Sequence, residues 1–204
     1  MTSVKPAKRR WETENNRLLP EDRPAHQWYR FVLSFPPHLV RDYAQRFRLG
    51  SKSRVLDPFC GTGTTLVECK KLGVPAFGIE AHPMAHFAST VKVDWSPNPD
   101  DLDAHSRCVV HAALNDLAKQ GIEDDPISTS EATNHLRHLP AEAAKLLLGG
   151  SISPLPLHKT LTLLDHLERH RDDRFSGHER LALAKAVVFS ASNLHFGPEV
   201  GVEK

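Results

Sequence analysis

Cysteine is scarce in this chain: Cys60, Cys69 and Cys108 are the only three among 204 residues. An odd, sparse set of this kind excludes a disulfide framework and reads as reduced thiols in a cytosolic protein. Long apolar runs are missing as well. Nothing approaches the roughly 18 consecutive apolar residues that a membrane span needs, so a membrane partner is not expected. The opening stretch "MTSVKPAKRRWETENN" is basic but lacks the apolar centre of a signal peptide, and a cytoplasmic location is expected. Excess charge of one sign is also absent, with 26 Lys and Arg against 25 Asp and Glu. No whole-protein field therefore announces a nucleic acid, although a local basic stripe can still serve one. Internal repeats and low-complexity tracts are not found.

What is present falls into three parts. Residues 1–25 are polar and proline-punctuated, and read as a flexible arm; "KPAKRR" within it reads as a solvated tail before it reads as a phosphate contact. In the next stretch, Pro36 and Pro37 suit the first turn of a helix over about 38–48, closed by Gly50, with Leu39, Val40, Tyr43 and Phe47 facing a core at helical spacing. "SRVLD" (53–57) is a short strand ending in an acid. "GTTLVECKKLG" then reads as a helix stopping at Gly73, with Lys70 and Lys71 in its last turn. "PAFGIE" (75–80) is a second strand ending in an acid, and Pro83 opens a second helix. Strand, helix, strand, helix is the opening of a doubly wound α/β sheet. Residues 26–98 are taken as this unit.

Residues 99–204 change character. The segments 100–120, 130–148, 155–171 and 178–192 all favour helix, and "SNLHFGPEVGVEK" reads as a loop-like tail. The expected fold is thus α/β, a partial Rossmann-like βαβα unit with an appended all-helical region. That region is read as an insertion.

The glycine stretch "VLDPFCGTGTT" (55–65) carries the chemistry. Glycines let a backbone approach a ligand, and the helix that follows presents free N–H groups. A phosphate-cradling loop would need Lys and then Ser or Thr after its last glycine, but Thr64 and Thr65 follow Gly63. A dinucleotide fingerprint would need a small residue where Leu66 stands, which disfavours NAD without excluding it. S-adenosylmethionine carries no phosphate and fits without a lysine. Asp57, ending the first strand, can take its amino group directly or through water. Glu80, ending the second strand about twenty residues past the glycines, can accept both ribose hydroxyls.

"LDPFCGTGTT" followed by "GIEAHP" resembles the S-adenosylmethionine motif of DNA amino-methyltransferases, and "SFPPHLVRDYAQRF" resembles the segment preceding it. The likeness covers about residues 26–95. It implies S-adenosylmethionine as cofactor, with Asp57, Phe59, Gly61, Gly63 and Thr64 lining its methionine and adenosine side. It puts Glu80 on the ribose and Ala81 and His82 near the adenine, while Phe35 and Pro36 belong to the segment closing over the methionine end. DNA is the implied partner, and transfer to cytosine N4 or adenine N6 the implied reaction.

In such enzymes an Asp, Asn or Ser followed by Pro-Pro and an aromatic residue holds the target amine, and the base is flipped out to reach it. That tetrad is missing: "SFPPH", "WSPNPD" and "SPLPL" all fail it, so no catalytic residue is assigned. Only two strands of the family's seven are legible. A fragment, one half of a split enzyme with the tetrad on a second chain, a non-catalytic cofactor-binding module, and an RNA base methyltransferase all stay open. The other constellations are weaker. His82 with His86 and His166 with His170 have the spacing of helical metal ligands but lack the accompanying Glu and third ligand, and no metal is expected. Cys60 and Cys69 read as small core residues. Arg169, Arg171 and Arg174 read as a solvated helix end before a phosphate contact. Asn193, His195 and Phe196 read as a helix-terminating turn packed by Phe196 before a base-facing group.

Overall fold

The computed structural model describes residues 18–30, 34–123, 135–196 and 200–202. The chain divides into two compact units, residues 1–93 and 94–204. The basic tail "KPAKRR", residues 31–33 and residues 130–134 of the expected 130–148 helix lie outside the described residues.

The first unit begins with a 3-10 turn, Pro20–Asp22, running into a kinked turn at Arg23–His26. Helix α1 (Pro37–Arg46) follows, with Pro37 at its first position, where the missing N–H costs nothing. Its end differs from expectation. The left-handed residue is Arg48, at φ 53°, not Gly50. The amides of Arg48 and Leu49 donate back to the carbonyls of Gln45 and Ala44, the paired bonds of a Schellman stop. The expected core face of α1 is also corrected. Ala44 and Pro37 are buried, Leu39 and Val40 are half-buried, and Tyr43 and Phe47 are exposed, their rings 6.0 Å apart on the surface. Helical spacing gives a face, but it does not say which apolar face turns inward.

Strand β1 (Val55–Asp57), helix α2 (Thr64–Lys71), strand β2 (Ala76–Gly78) and helix α3 (Pro83–Lys92) then form the expected order. β1 and β2 pair in parallel, with Val55 opposite Ala76, Leu56 opposite Phe77 and Asp57 opposite Gly78. α2 ends at Gly73, where φ is +67° and the Val74 amide donates to the Cys69 carbonyl. The sheet's two faces are unlike. On one, Gly78 lies so close to the Cys60 sulfur and the Leu66 side chain that a Cβ there would sit 2.7 Å from each. On the other, Leu56, Phe77 and Ile79 are 63%, 61% and 58% exposed. Residues in register on neighbouring strands, or two apart on one strand, share a face. This is therefore one uncovered apolar surface.

The centre of the unit is held by charge as much as by apolar packing. Glu68 of α2 is completely buried. Its Oε1 accepts from His26 Nε2 at 2.7 Å and Lys71 Nζ at 2.8 Å, and its Oε2 accepts from Arg41 at 2.8 Å. Arg41 also grips both oxygens of buried Asp22, at 2.7 and 3.1 Å. Burial pushes the Glu68 carboxyl up, but the hydrogen bonds from His26, Lys71 and Arg41 outweigh it and bring it down to about 2. An ionised carboxylate only accepts, so His26 donates from Nε2. Its burial lowers the His26 pKa and keeps the ring neutral.

The second unit contains α4 (Pro99–Lys119), α5 (Pro154–Arg169) and α6 (Ser176–Ala186), which runs on into a π-helical turn at Val187–Ala191. α5 packs on both α4 and α6. Asn98 caps α4, its Oδ1 accepting from the Asp100 and Asp101 amides. Val109, Ala113 and Leu117 of α4, Leu167 of α5 and Leu181 of α6 are buried, together with Ile122 and Phe175. Between 135 and 153 the described helix is one turn, Ala141–Ala144. The expectation of an all-helical region is wrong at the C-terminal end. Strands β3 (Leu194–Phe196) and β4 (Val200–Val202) pair antiparallel, with His195 opposite Gly201. Alternating side chains in "LHF" and "VGV" suit a strand pair, and Phe196 packs on Phe189 with ring centres 5.6 Å apart.

Glu68→Ala strips three cationic or hydrogen-bonding partners of their acceptor. It is expected to destabilise the chain by about 2–4 kcal/mol, a value discounted because Arg41 and Lys71 stay partly solvated. Urea unfolding followed by tryptophan fluorescence measures it. A carboxyl held below its ordinary 4.5 contributes stability above that pH and loses it as pH falls toward about 2, so Glu68→Gln should flatten the stability curve in this window.

Candidate functional site

The glycine loop lies between the C-terminal end of β1 and the start of α2, beside the C-terminal end of β2. The two strand-ending acids meet there. Asp57 Oδ1 accepts from the Phe59 amide at 3.1 Å, and the Asp57 carbonyl accepts from the Ile79 amide at 2.9 Å. Glu80 reaches across: its Oε2 accepts from the Gly61 amide at 2.8 Å and its Oε1 from the His82 amide at 2.7 Å. These backbone bonds, His82 first, hold the Glu80 carboxyl below its ordinary range and keep it ionised. A carboxylate has about four lone-pair positions. The Gly61 and His82 amides take two of them and the Ala81 amide also bears on the group, which leaves some acceptor capacity.

The two glycines differ in what they need. Gly61 has φ +52° and a Cβ on it would meet nothing within 4 Å, so open space lies beside it. Gly63 has φ +85°, and a Cβ on it would lie 2.9 Å from Ser89 Cβ and 3.1 Å from Ser89 Cα. That is a steric requirement as well as a conformational one, because α3 presses directly under the loop. Gly63 is also the residue before α2, and the Val67 amide donates back to its carbonyl at 3.0 Å. Cys60 is buried, and burial pushes its thiol up, away from thiolate. Cys69 is buried in α2.

The other singled-out residues fall as follows. Phe59 is 87% exposed at the rim of the loop, and Thr64 is buried at the first position of α2. Ala81 and His82 are exposed, and His82 caps α3 by accepting the Ala85 amide on Nδ1 at 3.3 Å. Phe35 is exposed and Pro36 is the buried residue before α1. Sequence reasoning missed Lys92, whose ammonium donates to the Thr62 carbonyl from below the loop at 2.7 Å. Its signal was a lysine closing the helix that follows the second strand, a position that ordinarily reads as a solvated helix end.

The remaining constellations are engaged elsewhere. His166 Nε2 bonds Asp116 at 2.9 Å, and its ring stacks on His170. Arg174 pairs with Asp172 and lies over the Phe175 ring, while Arg171 pairs with Asp173 and Arg169 sits 3.7 Å from Asp116. Asn193 Nδ2 donates to the Gly150 carbonyl and to Ser153 Oγ, a role within its own unit.

Part of the chain is similar to known proteins. Residues 6–89 match the family model described as DNA methylase. The type II methyltransferase M.BsoBI of Geobacillus stearothermophilus is 35% identical over 97 residues, which is 45% of this chain and 19% of that protein. M.AvaI of Nostoc sp. is 34% identical over 64 residues, covering 31% of this chain and 13% of its own length. M.MjaII of Methanocaldococcus jannaschii is 38% identical over 60 residues, 29% of this chain and 11% of its own. The chain thus spans about a fifth or less of these relatives. No solved structure matches it. The span matched by the family model contains the glycine loop and both acids.

Gly63→Ala meets both strain and a backbone clash, whereas Gly61→Ala meets strain alone. Gly63→Ala is expected to cost about 2–4 kcal/mol and Gly61→Ala about 1–2. Parallel urea titrations rank them, and an equal cost would mean that the contact with Ser89 is not restrictive.

Proposed function

We propose that residues 26–98 bind S-adenosylmethionine and form the cofactor portion of a DNA amino-methyltransferase acting on cytosine N4 or adenine N6, with residues 99–204 an insertion in that enzyme. One observation carries the reading. Asp57 ends β1 and Glu80 follows the adjacent parallel β2 by two residues, and a glycine loop with open space beside Gly61 lies between them. Such crevices at the carboxyl ends of strands are where open α/β sheets take ligands.

The residues present fit that cofactor. Glu80 is oriented by the Gly61 and His82 amides and retains acceptor capacity for a ribose hydroxyl. Asp57 is turned to the loop by the Phe59 amide and can take an ammonium. Phe59, exposed at the rim, supplies an apolar wall, and Gly61, Gly63 and Thr64 keep the floor low. Ala81 and His82 border the adenine side, and Phe35 and Pro36 belong to the segment closing over the methionine end. The bound cofactor supplies an electrophilic methyl group to the target amine. The work of these residues is to hold it in line, which is the larger part of the rate for a positioned displacement.

The nucleic-acid half of the reading has support in α1 and the loop after it. Arg46, Arg48, Lys52 and Arg54 are exposed, none is ion-paired among the described residues, and no acid interrupts them. Exposed Tyr43 and Phe47 lie beside them. Cations interleaved with aromatics suit a phosphate backbone and stacked bases.

A second reading, a module that needs a partner chain carrying the amine-holding tetrad, is favoured by the bare face of Leu56, Phe77 and Ile79. Parallel strands are ordinarily covered on both faces. The strands and helices that would cover this face are expected to come with the tetrad.

Isothermal titration of the full chain with S-adenosylmethionine tests the first reading. Binding is expected, and Asp57→Ala should weaken it about tenfold or more, the value of a lost charge-assisted hydrogen bond. No heat with wild-type protein ends the cofactor assignment. Methyl transfer assayed with and without an added tetrad-bearing chain, on competing DNA and RNA, tests the rest. Transfer only in the mixture supports the partner reading, and a preference for RNA overturns the DNA assignment.

A further inference from the structure

Lys92, the last residue of α3, is 1% exposed. An ammonium is costly to bury unless its donors are used. Here they reach two backbone carbonyls that lie far apart in sequence: Thr62 at 2.7 Å and Tyr29 at 3.1 Å. Burial, reinforced by the charge of Arg30, brings the group down to about 8, so it carries its charge at pH 7.

The Thr62 carbonyl belongs to the candidate seat, and the Tyr29 carbonyl to the segment upstream of α1. Thr62 stands between Gly61 and Gly63, the two left-handed glycines of the loop. Turning its carbonyl inward to Lys92 fixes the peptide plane between them and leaves the outer side of the loop to Gly61, where space is open. Tyr29 is buried in the stretch leading toward Phe35 and Pro36. Ser89, one turn earlier on α3, is the residue that Gly63 nearly touches. Residues three apart share a helix face. One face of α3 therefore supports the loop twice, by contact at Ser89 and by charge at Lys92.

We propose that Lys92 is a positioning residue of the cofactor seat: it fixes the left-handed turn at residues 61–63 through the Thr62 carbonyl and latches the Tyr29 segment to the same point. The proposal rests on reading the loop as the seat of the methionine end, with Glu80 holding the ribose.

The test compares wild type, Lys92→Met and Val91→Ala. Val91 is a buried apolar neighbour on the same helix and bonds nothing in the loop. Amide hydrogen exchange on the ligand-free chain should show Lys92→Met faster by about tenfold at residues 60–63 and 28–30, with the interior of α2 unchanged. Val91→Ala should show no such localisation. In titrations, Lys92→Met should weaken S-adenosylmethionine by about tenfold while adenosine, held through Glu80, changes by less than about twofold. Exchange that is unchanged at 60–63, or raised evenly over the whole unit, overturns the proposal, as does equal weakening of both ligands. Should wild type bind neither ligand, the cofactor reading falls, and the exchange pattern alone still decides the role of Lys92. Should Lys92→Met not fold, Lys92→Gln, which keeps a neutral donor, is expected to give the same localised acceleration to a smaller degree, and an even acceleration overturns the proposal.

Discussion

A carboxylate with no access to solvent must be answered by donors, and Glu68 organises the first unit through that requirement. Its three partners come from three places: His26 from the N-terminal turn, Arg41 from α1 and Lys71 from its own helix. Arg41 extends the network to Asp22. A short α/β unit with few large apolar core residues thereby gains directional bonds that fix where the N-terminal turn and α1 lie on α2. Replacing such a network by apolar groups is often neutral for stability, while removing one member is not. Its value is specificity of placement. It holds the chain upstream of the glycine loop in one register against the helix that the loop begins.

The loop is built on the same principle with a different ion. Lys92 comes up from α3 beneath the loop, and Glu80 comes across from β2 beside it. A cation takes an inward carbonyl, and an anion takes an outward-lying amide. The left-handed turn between them is held by opposite charges acting on neighbouring peptide groups. Gly63 then has no room for a side chain, because the helix that carries Lys92 also carries Ser89. The steric constraint and one of the two electrostatic ones thus come from one element, α3.

Much of this was legible in the sequence, and the limits have physical causes. The order β1, α2, β2, α3 followed from apolar runs ending in acids and from glycines where turns must be left-handed, and Gly73 ends α2 as read. Asp57, Gly61 and Glu80 stand out in the sequence as acids and a glycine at strand ends and a turn, and the structure bonds Glu80 to the Gly61 amide and Asp57 to the Phe59 amide. Tyr43 and Phe47 were misjudged because periodicity defines a stripe without saying whether the stripe meets a core. The stop at Arg48 was hidden because a non-glycine left-handed residue leaves no compositional mark. β3 and β4 were missed because three-residue strands carry too little alternation to stand out from a tail. Lys92 and Glu68 were invisible as buried charges, since a charged residue near a helix end reads as solvated until its partners, up to 63 residues away, are seen.

The loop is held by Lys92 and Ser89 of α3 and by Glu80, none of which belongs to the exposed face of the sheet. The face of Leu56, Phe77 and Ile79 lies on the side of the sheet opposite Cys60 and Leu66, away from the packing that holds the loop. The loop is assembled from local bonds within residues 18–93, and the apolar side chains of the bare face take no part in them.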